Sequence, residues 1–303
     1  VSDSAARTDP ADITSAAVAS FAGAGDARLR ELVQALVRHL HAFATEVGLT
    51  QEEWRSAIEI LTATGAITDE HRQEFILWSD TLGLSMLVDA LANPLPDGAT
   101  ESTVLGPFYV PGSPLREYGA DISEQSGGTP AWVHGRIVDV ATGEPIGGAE
   151  LDVWQNGENR LYAVQDADAP EHHLRGRFAA RADGTYAFRA VRPVPYPIPD
   201  DGPVGRMLAA TGRHAWRPAH IHVIARAPGY RTLVTHIFDR DSEYLDSDTV
   251  FAVKPSLVRT FVERSPDDPD TPAGVDGPWC SLECTLSLAP GPAHEIADPG
   301  RTA

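Results

Sequence analysis

Four prolines stand at every second position, from Pro193 to Pro199, in the stretch Arg192-Pro-Val-Pro-Tyr-Pro-Ile-Pro199. Proline fixes its own φ and drives the preceding residue into extended backbone. The segment therefore reads as extended, of polyproline type. The direction of Tyr196, pinned between Pro195 and Pro197, is set by the backbone. Two dozen residues on comes Trp216-Arg217-Pro218-Ala219-His220-Ile221-His222. The residues from His220 onward alternate as a strand does, with Ile221, Val223 and Ala225 on one side and His222 and Ile224 on the other. On a strand His220 and His222 leave one face with Cα atoms ~7 Å apart, which suits two imidazoles converging on one metal ion. Taken alone, the pair fits two histidines on a half-buried strand better than a metal site; the rigidly held Tyr196 gives the metal reading its weight.

The N-terminal third has helical grammar. Leu29, Leu32, Val33, Leu36, Val37, Leu40 and Phe43 recur at helical spacing behind Asp26 as N-cap. Gly48 ends that helix, and Thr50-Gln-Glu-Glu53 forms a capping box for a second that Gly65 stops. A third is expected to start at Thr68 or Asp69 and to run through Leu87, before Pro94, Pro96 and Gly98 break the pattern. These helices carry apolar residues on more than one face. That surplus serves packing onto the rest of the chain or a subunit interface.

From Trp132 the pattern changes to short alternating strands with turn signals, as in a β-sandwich. The expected strands are His134–Asp139, Ala149–Trp154, Gly176–Arg181, Thr185–Arg189 and a last one over Trp279–Leu288. The fold class expected is α+β: a tail without order over 1–12, a helical dimerisation domain over 13–103 and an antiparallel β-sandwich over 104–303.

The formal charge of −19 argues against nucleic-acid or anionic-membrane partners, which need a basic patch. No apolar run approaches ~20 residues, so no membrane insertion is expected. The start of the chain lacks the basic and apolar regions of a signal peptide. Cys280 and Cys284 would lie ~13 Å apart on a strand, beyond disulfide reach, and fit a reducing, cytoplasmic setting.

Several motifs carry a family resemblance: Thr103-Val-Leu-Gly-Pro-Phe-Tyr109, Gly176-Arg-Phe178, Val194-Pro-Tyr-Pro-Ile-Pro199, Gly212 through His222, and Tyr244-Leu-Asp-Ser-Asp248. The chain resembles the intradiol ring-cleaving catechol dioxygenases over about residues 26–261, and most of all their hydroxyquinol 1,2-dioxygenase branch. The resemblance implies one Fe(III) per chain, held by Tyr162 (in Asn159-Arg-Leu-Tyr162), Tyr196, His220 and His222. It implies that Tyr196 takes a proton from the bound diol. Dioxygen then cuts the ring between the two hydroxylated carbons, turning benzene-1,2,4-triol into 3-hydroxy-cis,cis-muconate, the enol of maleylacetate. It also implies a homodimer through the N-terminal helices, with a phospholipid-sized apolar tunnel there.

The chemistry suits these residue types. A free phenol titrates near ~10, and a trivalent ion stabilises its anion, so metal binding releases the proton. Phenolate oxygens favour Fe(III), imidazoles suit iron, and the set differs from the two-His-one-carboxylate Fe(II) sites. Arg217, always charged, is either a surface ion pair or, as the resemblance favours, the group that stabilises negative charge developing on the substrate.

By resemblance the ring pocket is lined by Leu77, Asp80, Val104, Leu105, Gly106, Pro107, Phe108, Ile198, Pro199, Arg217 and Val250. Asp80 is either a salt-bridge acid or the acceptor for a third substrate hydroxyl. Many catechol-cleaving relatives carry Gln fourteen residues after the second histidine ligand. Here His236 stands in that place and is expected just outside the ligand set. Catechol or chlorocatechol is the alternative substrate. Glu144 through Trp154 also resembles the opening of transthyretin-like sandwich modules, some of which only bind.

Overall fold

The computed structural model describes residues 9–69, 72–123 and 126–293. The chain divides into two compact units, 1–63 and 64–303. The first unit holds α1 (Pro10–Ser20), α2 (Ala27–Glu46) and most of α3 (Gln51–Ile67). The expected tail differs from what is seen. Residues 1–8 lie outside the described residues, and Pro10–Asp12 open α1, because the Asp9 carboxylate accepts from the Ala11 N–H at 2.8 Å and proline suits the first helical turn.

The Asp26 cap of α2 is present, its carboxylate accepting from the N–H groups of Arg28 and Leu29. The capping box of α3 is also formed: Glu53 N–H donates to Thr50 Oγ1 and Thr50 N–H to Glu53 Oε2. Gly65 does not stop α3, which continues to Ile67. Neither α1 nor α2 has a single buried residue, and Leu32, Leu36, Leu40 and Phe43 are each more than half exposed.

After the last turn of α3 the second unit continues with α4 (Glu74–Thr81) and α5 (Leu84–Ala92). The single expected third helix is thus two. It starts later, after residues 70–71, which are not described, and it breaks at Leu82–Gly83, where Gly83 takes left-handed backbone. Among the described residues no single helix is long and apolar enough to cross a membrane; α4 and α5 meet that test only as a pair bent by 77°.

The sandwich has two sheets. The first runs β1 (Leu115–Arg116), β4 (Arg175–Ala179), β3 (Glu150–Trp154), β8 (His220–Arg226), β9 (Leu233–Asp239) and β10 (Val258–Arg259). The second runs β11 (Val262–Arg264), β12 (Trp279–Glu283), β2 (Pro130–Asp139) and β13 (Leu286–Leu288), with β5 (Thr185–Val191) also paired to β2.

The sheets are mixed, not purely antiparallel as expected. β2 is parallel to both β12 and β13, and β1 and β10 are parallel to their neighbours. These pairs join segments remote in sequence, which no hairpin can connect and which are free to run either way. The last strand is broken in two at Cys284, whose N–H donates to His134 O and whose carbonyl presses on Gly135 so closely that any Cβ there would sit 1.7 Å from it. Cys280 and Cys284 are buried thiols with no disulfide.

The core lies between the sheets. Leu151, Val153, Phe178, Ile221, Val223 and Ile237 of the first sheet meet Val133, Ile137, Phe188, Leu282 and Leu286 of the second. The period-two pattern sends these residues inward and turns His220, His222 and Ile224 to the opposite face.

Candidate metal centre

That opposite face carries the site. β3, β8 and β9 are antiparallel neighbours in register Trp154↔His222↔His236. Trp154, His220, His222 and His236 are all buried to within 1 % exposure. The indole of Trp154 stacks on the His222 ring at 4.6 Å and 14°.

A lid of loops closes over this face. Tyr162 follows a turn, is fully buried, and brings its phenol oxygen to 3.0 Å from His222 Nε2 and 3.5 Å from His220 Nε2. The two imidazole Nε2 atoms are 3.1 Å apart. Donors held ~2.0–2.2 Å from one metal ion lie ~3–3.6 Å from one another, and these three have that spacing.

His220 keeps the matching tautomer. Its Nδ1 donates to Pro218 O at 2.7 Å, leaving an Nε2 lone pair for the cluster. Burial first, then the crowding of the imidazoles on one another and Arg217, holds His220, His222 and His236 well below the usual imidazole range, which favours the neutral form that can ligate. Burial, followed by Tyr196 alongside, pushes the Tyr162 phenol well above its ordinary value. A phenolate there requires a nearby cation, as metal coordination supplies.

Tyr196 arrives from the proline-rich segment. β6 (Tyr196–Pro197) pairs with β7 (Trp216–Arg217) in register Tyr196↔Arg217. Its ring lies edge-on to Tyr162 at 5.2 Å, and its phenol oxygen accepts from Arg217 Nη1 at 3.2 Å. The same Nη1 stands 3.3 Å from His220 Nε2. Arg217 is buried, not a surface ion pair. Burial works against its charge, and Asp248 and the tyrosine oxygens outweigh that.

His236 faces His222 at 4.2 Å and His220 at 4.7 Å between ring centres. Among the described residues, the His220–His222–His236 group has ligand atoms all within 4.8 Å of one another. Neither nitrogen of His236, nor Nδ1 of His222, closes a hydrogen bond of acceptable geometry, although the backbone of Val104 and Leu105 lies alongside. The donor set and its burial fit a metal ion.

The expected pocket residues fall into two adjoining apolar clusters. Leu77, Ile198 and Val250 are buried together with Val104 packed on them, while Leu105 and Phe108 pack on Tyr162 and Tyr196. Phe108 stacks on the Tyr162 ring at 4.6 Å. Gly106 has φ +80°, and a Cβ there would meet His222 Cε1 at 3.1 Å, so glycine is what lets this loop lie on the imidazole. Pro107 and Pro199 are half-buried. Asp80, on α4, is 5 % exposed; burial raises its carboxyl above the ordinary range, against the pull of Ser85 and Arg217.

Sequence reasoning missed three residues. Arg175 is fully buried behind the site, its Nη2 donating to Phe108 O at 2.6 Å. Trp154 packs under His222, and Asp248 pairs with Arg217. Arg175 and Trp154 are legible only from strand register, which places Trp154 beside His222 and Arg175 beside Trp154.

The chain matches two family models, "Dioxygenase" over residues 104–276 and "Catechol dioxygenase N terminus" over 26–100. It is 49% identical to a hydroxyquinol 1,2-dioxygenase of Nocardioides simplex across 92% of this chain and 95% of that one. It is 40% identical to a catechol 1,2-dioxygenase of Candida albicans across 86% of each. The crystal structure of a hydroxyquinol 1,2-dioxygenase from Pseudomonas putida DLL-E4 superposes with a TM-score of 0.88 at 49% identity, covering 93% of this chain and 99% of that one.

Proposed function

We propose that this chain, which belongs to the intradiol ring-cleavage dioxygenases, acts on hydroxyquinol. Dioxygen inserts between the two adjacent hydroxylated carbons to give 3-hydroxy-cis,cis-muconate, the enol of maleylacetate. Both oxygen atoms enter the product and no external reductant is consumed. The observation that carries this reading is the convergence of Tyr162, His220 and His222 donors within 3.5 Å of one another, in a chain half identical to hydroxyquinol-cleaving relatives.

One Fe(III) per chain is held by Tyr162, Tyr196, His220 and His222. When bound, it lowers the proton affinity of the diol and draws charge from the ring, opening a ring carbon to dioxygen. Tyr196 then accepts a proton from one diol hydroxyl, and its contact with Arg217 holds the phenol oxygen aside. Arg217, buried and charged, stabilises negative charge spreading over the ring oxygens. Leu77, Val104, Leu105, Gly106, Pro107, Phe108, Ile198, Pro199 and Val250 exclude water and orient the ring. Asp80 accepts a hydrogen bond from the third hydroxyl. His236 stands beside the ligands and steadies them.

The apolar surface left on α2 to α5 supports a homodimer through residues of about 26–93, with an apolar tunnel able to hold a phospholipid. The helical part up to residue 103 then serves dimerisation and 104–303 catalysis. Two unpaired buried thiols support a cytoplasmic setting.

The test is the colour and metal content of the purified protein, with oxygen uptake on hydroxyquinol, catechol and chlorocatechol. The expected result is a wine-red to brown protein with about one iron per chain and highest kcat/KM on hydroxyquinol. A colourless protein with stoichiometric zinc overturns the iron assignment; a preference for catechol overturns the substrate alone. Sedimentation as a monomer at micromolar concentration overturns the dimer.

A further inference from the structure

Asp248 lies on the far side of Arg217 from the metal ligands. Its carboxylate accepts from Arg217 Nε at 3.2 Å and Nη2 at 3.5 Å, in a pair whose side chains are 2–3 % exposed. That contact occupies one edge of the guanidinium and leaves Nη1 as the group that reaches Tyr196 Oη and His220 Nε2. The same carboxylate accepts from the backbone N–H groups of Val250 and Ala252, at 3.3 and 3.0 Å, so it is also the nucleus of its own loop.

The loop is held in an uncommon form. Tyr244 and Phe251, neither of them glycine, have φ of 69° and 59°. Such backbone persists where surrounding contacts over-determine it. Tyr244 stacks on Trp216 at 5.4 Å and 11°, next in sequence to Arg217. Arg213 bridges the loop to α4: Nη2 donates to Thr249 O at 2.8 Å and Nη1 to Thr81 O at 2.6 Å. Thr81 directly follows Asp80. The cation that answers charge on the substrate and the acid that reads its third hydroxyl are thus tied to one short loop.

We propose that Asp248 is a positioning residue for ring cleavage, fixing the Arg217 guanidinium against Tyr196, and that Arg213 locks its loop to the helix bearing Asp80. This rests on the function proposed above. A two-point contact to a carboxylate sets both the plane and the reach of a guanidinium. Without it the arginine keeps its charge and turns to find other acceptors. Nη1 is then no longer held against the Tyr196 oxygen.

The experiment is a double-mutant cycle on the iron-loaded enzyme, using Asp248→Asn, Arg217→Gln and the pair. Asp248→Asn should lower kcat about thirty-fold with KM changed less than about threefold. In the Arg217→Gln background it should cost less than about threefold more, because residues acting through one another are not additive. Equal losses in both backgrounds, or a fully active Asp248→Asn enzyme, overturn the proposal. Arg213→Gln, which alters the loop from outside the site, should raise KM for hydroxyquinol more than for catechol; equal changes overturn that half.

A crystal structure of Asp248→Asn, or of Asp248→Glu if the first does not fold, decides independently of turnover. The guanidinium should have left hydrogen-bond distance of Tyr196 Oη, and one still in place overturns the proposal. A wild type that cleaves no diol would overturn the proposed function, while the crystal structure would still judge the hold of Asp248 on Arg217.

Discussion

The two faces of the first sheet are built from the same strands to opposite rules. On the inner face Leu151, Val153, Ile221 and Val223 are fully buried apolar side chains packed against the second sheet. On the outer face the same strands bury Asp152, Trp154, Arg175, His222 and, on β9, His236. Buried polar atoms without partners gather there: Asp152 Oδ1, Trp154 Nε1, Arg175 Nε, His222 Nδ1 and both His236 nitrogens. Burying such groups costs free energy that apolar packing does not. One face supplies stability; the other spends part of it to hold chemistry, as functional sites commonly do.

Substitutions that separate the faces test this contrast. The largest effect expected is from His222→Ala on the outer face. It should abolish the visible absorption band and lower turnover by more than the ~10–100-fold typical of residues that only orient a ligand. Its unfolding free energy, read from denaturant titration of the metal-free protein, should change less than that of the inner-face variant below. A larger change would erase the distinction.

Leu151→Ala on the inner face should lose about 3 kcal/mol of stability through a cavity, with iron content and turnover per folded molecule kept. Loss of the band without loss of stability would place Leu151 in the site.

Asp80→Ala should reduce kcat/KM for hydroxyquinol about thirty-fold relative to catechol, the size of a lost charged hydrogen bond of ~2 kcal/mol. Colour should be unchanged, and equal losses on both substrates would make Asp80 structural.

The smallest effect concerns Asp152, whose carboxyl is pushed up to about 6, chiefly by burial, with Arg226 and Arg177 pulling the other way. An acid whose pKa is higher folded than unfolded binds more protons in the folded state between the two values. Stability from this group is therefore lost as pH rises from about 4 to about 6 and stays lost above. Asp152→Asn should flatten that part of the stability–pH curve and raise stability at neutral pH. An unchanged curve would show that Asp152 is ionised at no cost.

Legibility followed the range of the interactions. The caps at Asp26 and Thr50 and the alternation from His220 to Arg226 are set by residues within four positions of one another, and they are present in the fold. Helix α6 (Pro203–Ala210) is not among the expected elements. Its first turn is completed by Glu74, whose carboxylate accepts from Val204 N–H across 130 positions, and no local pattern announces that. The break at Cys284 has the same character, since it depends on Gly135 in a neighbouring strand.

The sequence by itself determined the residue types of the site. Prolines on either side fix the backbone at Tyr196, and a two-residue period puts His220 and His222 on one face; both are local constraints of covalent geometry. Tertiary structure alone decided which side chains meet there. The register that sets Trp154 and His236 on either side of His222, the loop that lowers Tyr162 to 3.0 Å from it, and the carboxylate of Asp248 behind Arg217 come from segments 14 to 68 positions away from their partners. Contacts over such separations are selected by the burial of the whole sheet, which no short stretch of the chain encodes.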